Sequence, residues 1–399
     1  MLISRGRFGT GGIMKLLTII GTRPEALKMA PVLRLLAKRQ RIASLICATG
    51  QHRQLFDDAA AASGVRPHFS LSLMRPDQQP GELQGRALFA LDRLLADERP
   101  DRVMVHGDTS SAMAGALAAY DRGIPVSHVE AGLRTHRLDN PWPEEGHRRA
   151  IDAIADQLFA PTPLAERHLR DEQAAGEIWV TGNSGIDALH ATLEALAADL
   201  DLRGRCDAEL PDLPAGRDIV LVTLHRRESI GEPLRGLCAG LRGMSGGRRH
   251  LVVTLHPNPA VRAQLQEELG GRPGIQLVRP FSHPAMVRMM QRSDLIITDS
   301  GGVQEEAPTL GKPVLVAREV TERPEGVVAG LARVVGCCPQ RMAEGAKAAL
   351  DTGIRPGIAN PYGDGAASGR IIAGLLGEPV TPFRPERCAE VGAPLRLVG

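Results

Sequence analysis

Short apolar runs recur along the chain, each followed by a polar turn and then by apolar positions at helical spacing. In the first half they cover residues 15–20, 44–48, 103–106, 126–129 and 178–181. In the second they cover 219–224, 251–255, 276–278, 295–298, 314–316 and 333–335. Helical stretches lie between them, among them 26–38, 111–119, 144–155, 259–268, 286–290 and 340–350. A strand that is apolar at every position is buried on both faces, as in a parallel sheet covered by helices. About eleven such strands exceed one comfortable open sheet, so the pattern predicts an α/β chain with two parallel sheets in two domains.

The first domain is expected over residues 1–183 and again over 366–399, the second over 184–365. Residues 186–200 read as a helix and 201–217, rich in Asp, Pro and Gly, as a connector or surface loop. Residues 360–370 are turn-rich, 366–376 read as a last helix packing back on the first domain, and 378–399 as a loose tail. Ordered patterning starts at Met14, which makes residues 1–13 an extension.

Composition narrows the function. Basic residues number 48 and acidic residues 46, so no overall basic field exists to hold nucleic acid or an anionic membrane. Aromatics are 3% of the chain, too few for base-stacking platforms. No run reaches the ~18 apolar residues of a membrane helix. Residues 1–13 lack a signal-peptide core, so no export is expected. The six cysteines form no C-x-x-C pair and read as reduced thiols in a reducing compartment.

Almost every unusual polar cluster falls just past the C-terminal end of a predicted strand. Gly21-Thr22-Arg23-Pro24-Glu25, Gly50-Gln51-His52-Arg53, Gly107-Asp108-Thr109 and Glu130-Ala131-Gly132-Leu133-Arg134 do so in the first half. His225-Arg226-Arg227-Glu228, His256-Pro257-Asn258 and Asp299-Ser300-Gly301-Gly302 do so in the second. Parallel sheets bind ligands at that edge, and two such edges facing each other would line a cleft. Ser300-Gly301-Gly302 opens a helical stretch and suits either a phosphate seat or a tight Gly-Gly turn. Glu305 and Glu306 then either offset the helix dipole or hold sugar hydroxyls. Arg23 and Lys28 are either phosphate ligands or a solvated helix start. Asp108, Glu130 and Glu144, with Glu145 beside it, suit acid–base work if the fold gathers them. The alternatives are an Asx-turn or N-cap for Asp108 and ordinary helix-start chemistry after Pro143 for Glu144. His225 and His256 sit in settings without metal-ligand spacing, and no G-x-G-x-x-G follows a strand, so neither a metal nor a redox nucleotide is expected.

These motifs resemble those of the bacterial non-hydrolysing UDP-N-acetylglucosamine 2-epimerases. The matching strings are GTRPEALKMAP (21–31), TGQHR (49–53), VHGDTSS (105–111), HVEAGLRT (128–135) and PWPEEGHRRAID (141–152). HRRES (225–229), TDSGGVQEEAPTLGKPVLV (298–316), TERPEGV (321–327) and NPYGDG (360–365) continue them in family order. The resemblance implies two Rossmann-like domains in a GT-B glycosyltransferase-like arrangement, their sheets facing an interdomain cleft that takes a UDP-sugar. It places Arg23, His256, Ser300, Gly301, Gly302, Glu306 and Arg323 around UDP. Lys28, Asp108, Glu130, Glu144 and His225 would surround the sugar and the breaking bond. Three positions depart from the family. Met286 stands where an aromatic usually faces the uracil, Phe281 where a polar residue is common, and Leu224 where smaller residues are common. Phe281 or Met286 is therefore expected against the base.

The reaction so implied removes the C2 proton as UDP leaves, giving a 2-acetamidoglucal, and re-adds UDP with proton delivery to the other face. The resemblance also implies a homodimer, a cytoplasmic location, no added cofactor, closure on UDP, and regulation by UDP-N-acetylglucosamine near Gln51 and His256. Competing readings are a glycosyltransferase of the same architecture, a non-catalytic UDP-sugar sensor, and the same reaction on a modified sugar such as UDP-2,3-diacetamido-glucuronate.

Overall fold

The computed structural model describes residues 12–50, 66–75, 79–224, 231–256, 258–353 and 358–385. Gln51 and His225 lie outside the described residues. The chain divides into two compact units, Met1–Ala188 with Gly363–Arg384, and Leu189–Tyr362 with Pro385–Gly399.

The first unit holds a seven-stranded sheet: β1 (Met14–Ile20), β2 (Ile42–Ala48), β3 (Phe69–Ser70), β4 (Arg102–His106), β5 (Val126–Val129), β6 (Gln157–Ala160) and β7 (Glu177–Val180). Their order is β3-β2-β1-β4-β5-β6-β7, and every pairing is parallel. The alternation of side chains along β1 sends Leu17 and Ile19 into one core and Leu16 and Ile20 into another, which is why the run is apolar throughout. The first core takes Leu91 and Leu95 of helix Pro80–Glu98 and the alanines of helix Ser110–Asp121. The second takes Met29, Val32 and Leu36 of helix Arg23–Leu36, and Ile371, Ile372 and Leu375 of helix Ala367–Leu375.

The second unit holds a six-stranded sheet: β8 (Asp218–Thr223), β9 (Arg249–Thr254), β10 (Ile275–Val278), β11 (Leu295–Thr298), β12 (Val314–Val316) and β13 (Ala332–Val334). Their order is β10-β9-β8-β11-β12-β13, again parallel throughout. Two apolar clusters cover it, one with Val220, Val222, Leu251 and Val253, the other with Leu221, Val252, Ile296 and Phe281.

In each sheet the strand order reverses direction once, between β1 and β4 and between β8 and β11. Connections leave toward opposite sides there, and the crevice past the strand ends is where open parallel sheets place ligands. The expected loop over 201–217 is corrected in its first half. Helix Leu200–Glu209 occupies it, capped by Asp199, whose carboxylate accepts the Leu202 N–H at 2.8 Å. Only Cys206 of that helix is buried, so its sequence carries little apolar periodicity to announce it.

Candidate functional site

At the switch point of the first sheet, Thr22 caps helix Arg23–Leu36 and Glu25 occupies its third position. The Glu25 carboxylate accepts the N–H groups of Gly21 and, at 2.9 Å, of Thr22. Its other oxygen accepts the Thr109 hydroxyl at 2.5 Å. Thr109 in turn caps helix Ser110–Asp121 through the Ala112 N–H. One carboxyl thus ties the loop after β1 to the loop after β4. It is 3% exposed, and burial pushes its pKa up to about 7 against the pull of its three donors.

Glu130 follows β5 with φ +70, a conformation disfavoured for a side-chain-bearing residue and found at functional positions. Its own N–H and that of Ala131 both reach the Phe159 carbonyl at 3.1 Å. Its Oε2 accepts from Lys28 Nζ at 2.5 Å and Asn183 Nδ2 at 2.9 Å. His106, the last residue of β4, lies with Nε2 3.6 Å from the same oxygen. Burial, above all, lowers the His106 pKa to about 4, leaving a neutral imidazole. Lys28 is therefore a buried partner of Glu130, not a solvated helix start.

Asp108 neither caps a helix nor makes an Asx-turn. Its carboxylate takes both the Nε of Arg148, at 2.9 Å, and the guanidinium Nη2, and its carbonyl lies 3.0 Å from His147 Nδ1. Arg148 and His147 stand on helix Glu144–Ile154, which begins at Glu144 with Pro143 as its cap. Glu144 is half-buried and one turn before Arg148, hence on the same helix face. Glu145 is structural: fully buried, it accepts the N–H groups of Thr135 and His136 and pairs with Arg148. Behind this group, His128 bridges Asp152 (2.6 Å) and the Gly107 carbonyl (2.8 Å). Burial raises the Asp152 carboxyl, but His128 and Arg134 outweigh it and hold the group below its usual range. That network fixes the strand end from which Asp108 projects.

In the second unit the Thr223 and Thr298 hydroxyls meet at 2.6 Å across the ends of β8 and β11. Ser300 caps helix Gly301–Glu306, and a 3-10 turn, Ala307–Leu310, continues it. Gly301 is required by Arg323: a Cβ would sit 2.5 Å from the guanidinium carbon. At Gly302 a Cβ would meet, among the described residues, only Ser300 Oγ, 4.0 Å away, which leaves room in front of the backbone. Arg323 is 5% exposed and donates to Glu305 at 2.6 Å and to Glu322. The Tyr362 hydroxyl accepts the Gly326 N–H and donates to the Arg323 carbonyl, both at 2.8 Å. Glu305 is thus the anchor of Arg323. Glu306 instead lies 4.0 Å from His283 Nε2, at the start of helix His283–Arg292. His256 Nδ1 accepts the Asn258 N–H at 3.1 Å. Phe281 is 5% exposed within the core that includes Ala285 and Met290, and Met286 is half-buried against it.

The structure therefore gathers Lys28, Asp108 and Glu130 in the first unit, with Arg23 and Glu144 on adjoining helix starts. It sets Ser300, Gly301, Gly302 and Arg323 just past the end of β11 in the second, with Glu306 at the far end of the short helix, beside His283. Glu25 stands in the sequence reading only within the polar cluster after the first strand, and His106, Arg148 and Asn183 are not among its candidates. The signal for Arg148 was its place one turn after Glu144; His106 reads only as the end of an apolar run. Among the described residues no three His, Cys, Asp or Glu side chains group as a metal site, and no helix is long and apolar enough to cross a membrane.

Known proteins with this sequence pattern share this architecture. The sequence profile of a family described as UDP-N-acetylglucosamine 2-epimerase matches residues 34–376. A probable UDP-N-acetylglucosamine 2-epimerase of Ralstonia nicotianae is 42% identical over 370 residues, 90% of this chain and 98% of the relative. The UDP-N-acetylglucosamine 2-epimerase of Escherichia coli K12 is 41% identical over 369 residues, 91% of this chain and 98% of the relative. Among solved structures, that of the Neisseria meningitidis UDP-GlcNAc 2-epimerase bound to UDP-GlcNAc superposes with a TM-score of 0.87 at 38% identity, covering 92% of this chain and all of that one. With a profile spanning most of its length and relatives above 40% identity over nine-tenths of it, the chain belongs to the UDP-N-acetylglucosamine 2-epimerase family.

Proposed function

We propose that the chain interconverts UDP-N-acetylglucosamine and UDP-N-acetylmannosamine without releasing free sugar, supplying precursors for surface polysaccharide. The observation that carries this reading is the buried Lys28–Glu130 pair with half-buried Asp108 nearby, around the ends of β4 and β5, in a chain of this family.

The C2–H of an N-acetyl sugar is barely acidic, because no carbonyl adjoins it. Departure of UDP from C1 provides the outlet. A carboxylate takes the C2 proton, the C–H electrons form the C1–C2 double bond, and the C1–O electrons leave with UDP. Re-addition of UDP, with protonation of C2 from the opposite face, gives the other epimer. Such a scheme needs two proton-transfer groups and an anion seat. Asp108, Glu130 and Glu144 are the candidates for proton transfer. Lys28, paired with Glu130 in this structure, would turn to the leaving diphosphate together with His225. Gly302, with its open backbone approach, and Ser300 would seat phosphate oxygens. Arg323 would act on that seat from behind, by packing against Gly301, and Arg23 would contact phosphate directly. We further propose a homodimer in the cytoplasm, with the two compact units serving as sugar-facing and nucleotide-facing domains.

Proton NMR of UDP-N-acetylglucosamine turnover in deuterated water, with no acceptor and no added nucleotide cofactor, tests the reading. Deuterium at C2 of a UDP-linked manno product is expected. Free N-acetylmannosamine plus UDP would identify a hydrolysing enzyme, and protium retained at C2 would rule out the elimination.

A further inference from the structure

His106 is 3% exposed, yet neither ring nitrogen has a hydrogen-bond partner among the described residues. An apolar side chain of similar size would fill this position without the cost of an unsatisfied buried polar group. The polar atoms of His106 thus do nothing for the fold, and their use must lie in what the ring faces. The charged and titratable groups acting on it are Glu130 after β5, Lys28 on helix Arg23–Leu36, His128 on β5 and Asp108 after β4. Glu130 Oε2 is held by Lys28 at 2.5 Å and Asn183 at 2.9 Å, and His106 Nε2 waits 3.6 Å from the same atom. Burial keeps the ring neutral at physiological pH, so it offers an N–H without adding charge.

We propose that His106 is a positioning residue for Glu130: when substrate draws Lys28 away, the His106 Nε2–H takes the place of Lys28 on the carboxylate oxygen that Asn183 still holds, and keeps it aimed and ionised for proton transfer. The movement required is under an ångström, from 3.6 Å to the ~2.9 Å of an ordinary N–H···O bond. This inference rests on the reading of Lys28 and Glu130 as substrate-facing groups.

The test compares H106L, H106Q and E130Q in the full chain, by pH–rate profiles on UDP-N-acetylglucosamine and by thermal melting. H106L should lower kcat about tenfold or more, the effect of one lost hydrogen bond to a charged group. Its KM should stay within about twofold, its acid limb should move to higher pH, and its melting temperature should rise. H106Q carries an N–H near the position of Nε2 and should return the acid limb and most of kcat. Wild-type kcat and acid limb in H106L would overturn the proposal. So would a loss accompanied by a lower melting temperature and an unmoved limb, the signature of packing alone. E130Q keeps the two failures apart. Turnover retained in E130Q removes the Glu130 reading itself, whereas an inactive E130Q beside an unaffected H106L removes only the role of His106.

Discussion

Glu25 shows at the residue scale how burial and hydrogen bonding compete over one proton. Its ordinary value is 4.5 and burial moves it to about 7. Below pH 4.5 the group is protonated in folded and unfolded chains alike and costs nothing. Above pH 7 it is ionised in both, and the folded state carries the full penalty, on the order of 3 kcal/mol. Glu25→Gln removes that penalty while its amide still serves the two backbone N–H groups and Thr109. The urea midpoint of E25Q should therefore gain on wild type as pH rises from 5 to 8; parallel trends would show that Glu25 is not the titrating group. A second test concerns Asp108. Arg148→Met strips its carboxylate of a buried partner, which should lower kcat more than it raises KM, by about tenfold or more; equal kcat in steady-state assays would make the pair dispensable. The sequence shows Glu25 only within the polar cluster after the first strand, because its partner Thr109 is 84 positions away. Asp108 was legible as a candidate, but its choice of Arg148 over a cap was not.

At the scale of elements, strands buried on both faces were legible because β1, β4, β8 and β11 carry apolar runs that no surface helix would. Helix Leu200–Glu209 was not, since one buried residue leaves no periodicity to read. The turn Ser300–Gly302 lies between these cases. Its two glycines look alike in sequence, yet the structure separates them: Gly301 makes room for Arg323, and a Cβ at Gly302 would meet, among the described residues, Ser300 Oγ alone at 4.0 Å. Gly301→Ala should push the guanidinium off Glu305 and Glu322 and lower the melting temperature, with a loss of about 1–3 kcal/mol as for other overpacked sites. Gly302→Ala should melt like wild type. Gly302→Val should keep the fold and weaken UDP binding in calorimetric titration. Unchanged UDP affinity in G302V would place the diphosphate elsewhere.

At the scale of the whole molecule, the chain enters the first unit twice, and the second visit is brief. Gly363–Arg384 returns to complete it, and helix Ala367–Leu375 is its anchor. The helix start is fixed by Asp187, whose carboxylate accepts the N–H groups of Ala367 and Ser368 at 3.2 and 2.8 Å. Its body buries Ile371, Ile372 and Leu375 in the core shared with Leu16, Ile20 and Phe159. Gly374 lets it approach so closely that a Cβ there would lie 2.7 Å from the Phe159 ring. The apolar run was visible in the sequence; the roles of Asp187 and Gly374 depend on residues far along the chain and were not. Ile371→Ala empties a fully buried position and should cost the first unit about 2–5 kcal/mol. Because the second unit has its own sheet and cores, calorimetry of the full-length variant should show one transition moved down and another in place. If both transitions fell together by the same amount, the two units would unfold as one, and the returning helix would be stabilising the whole chain.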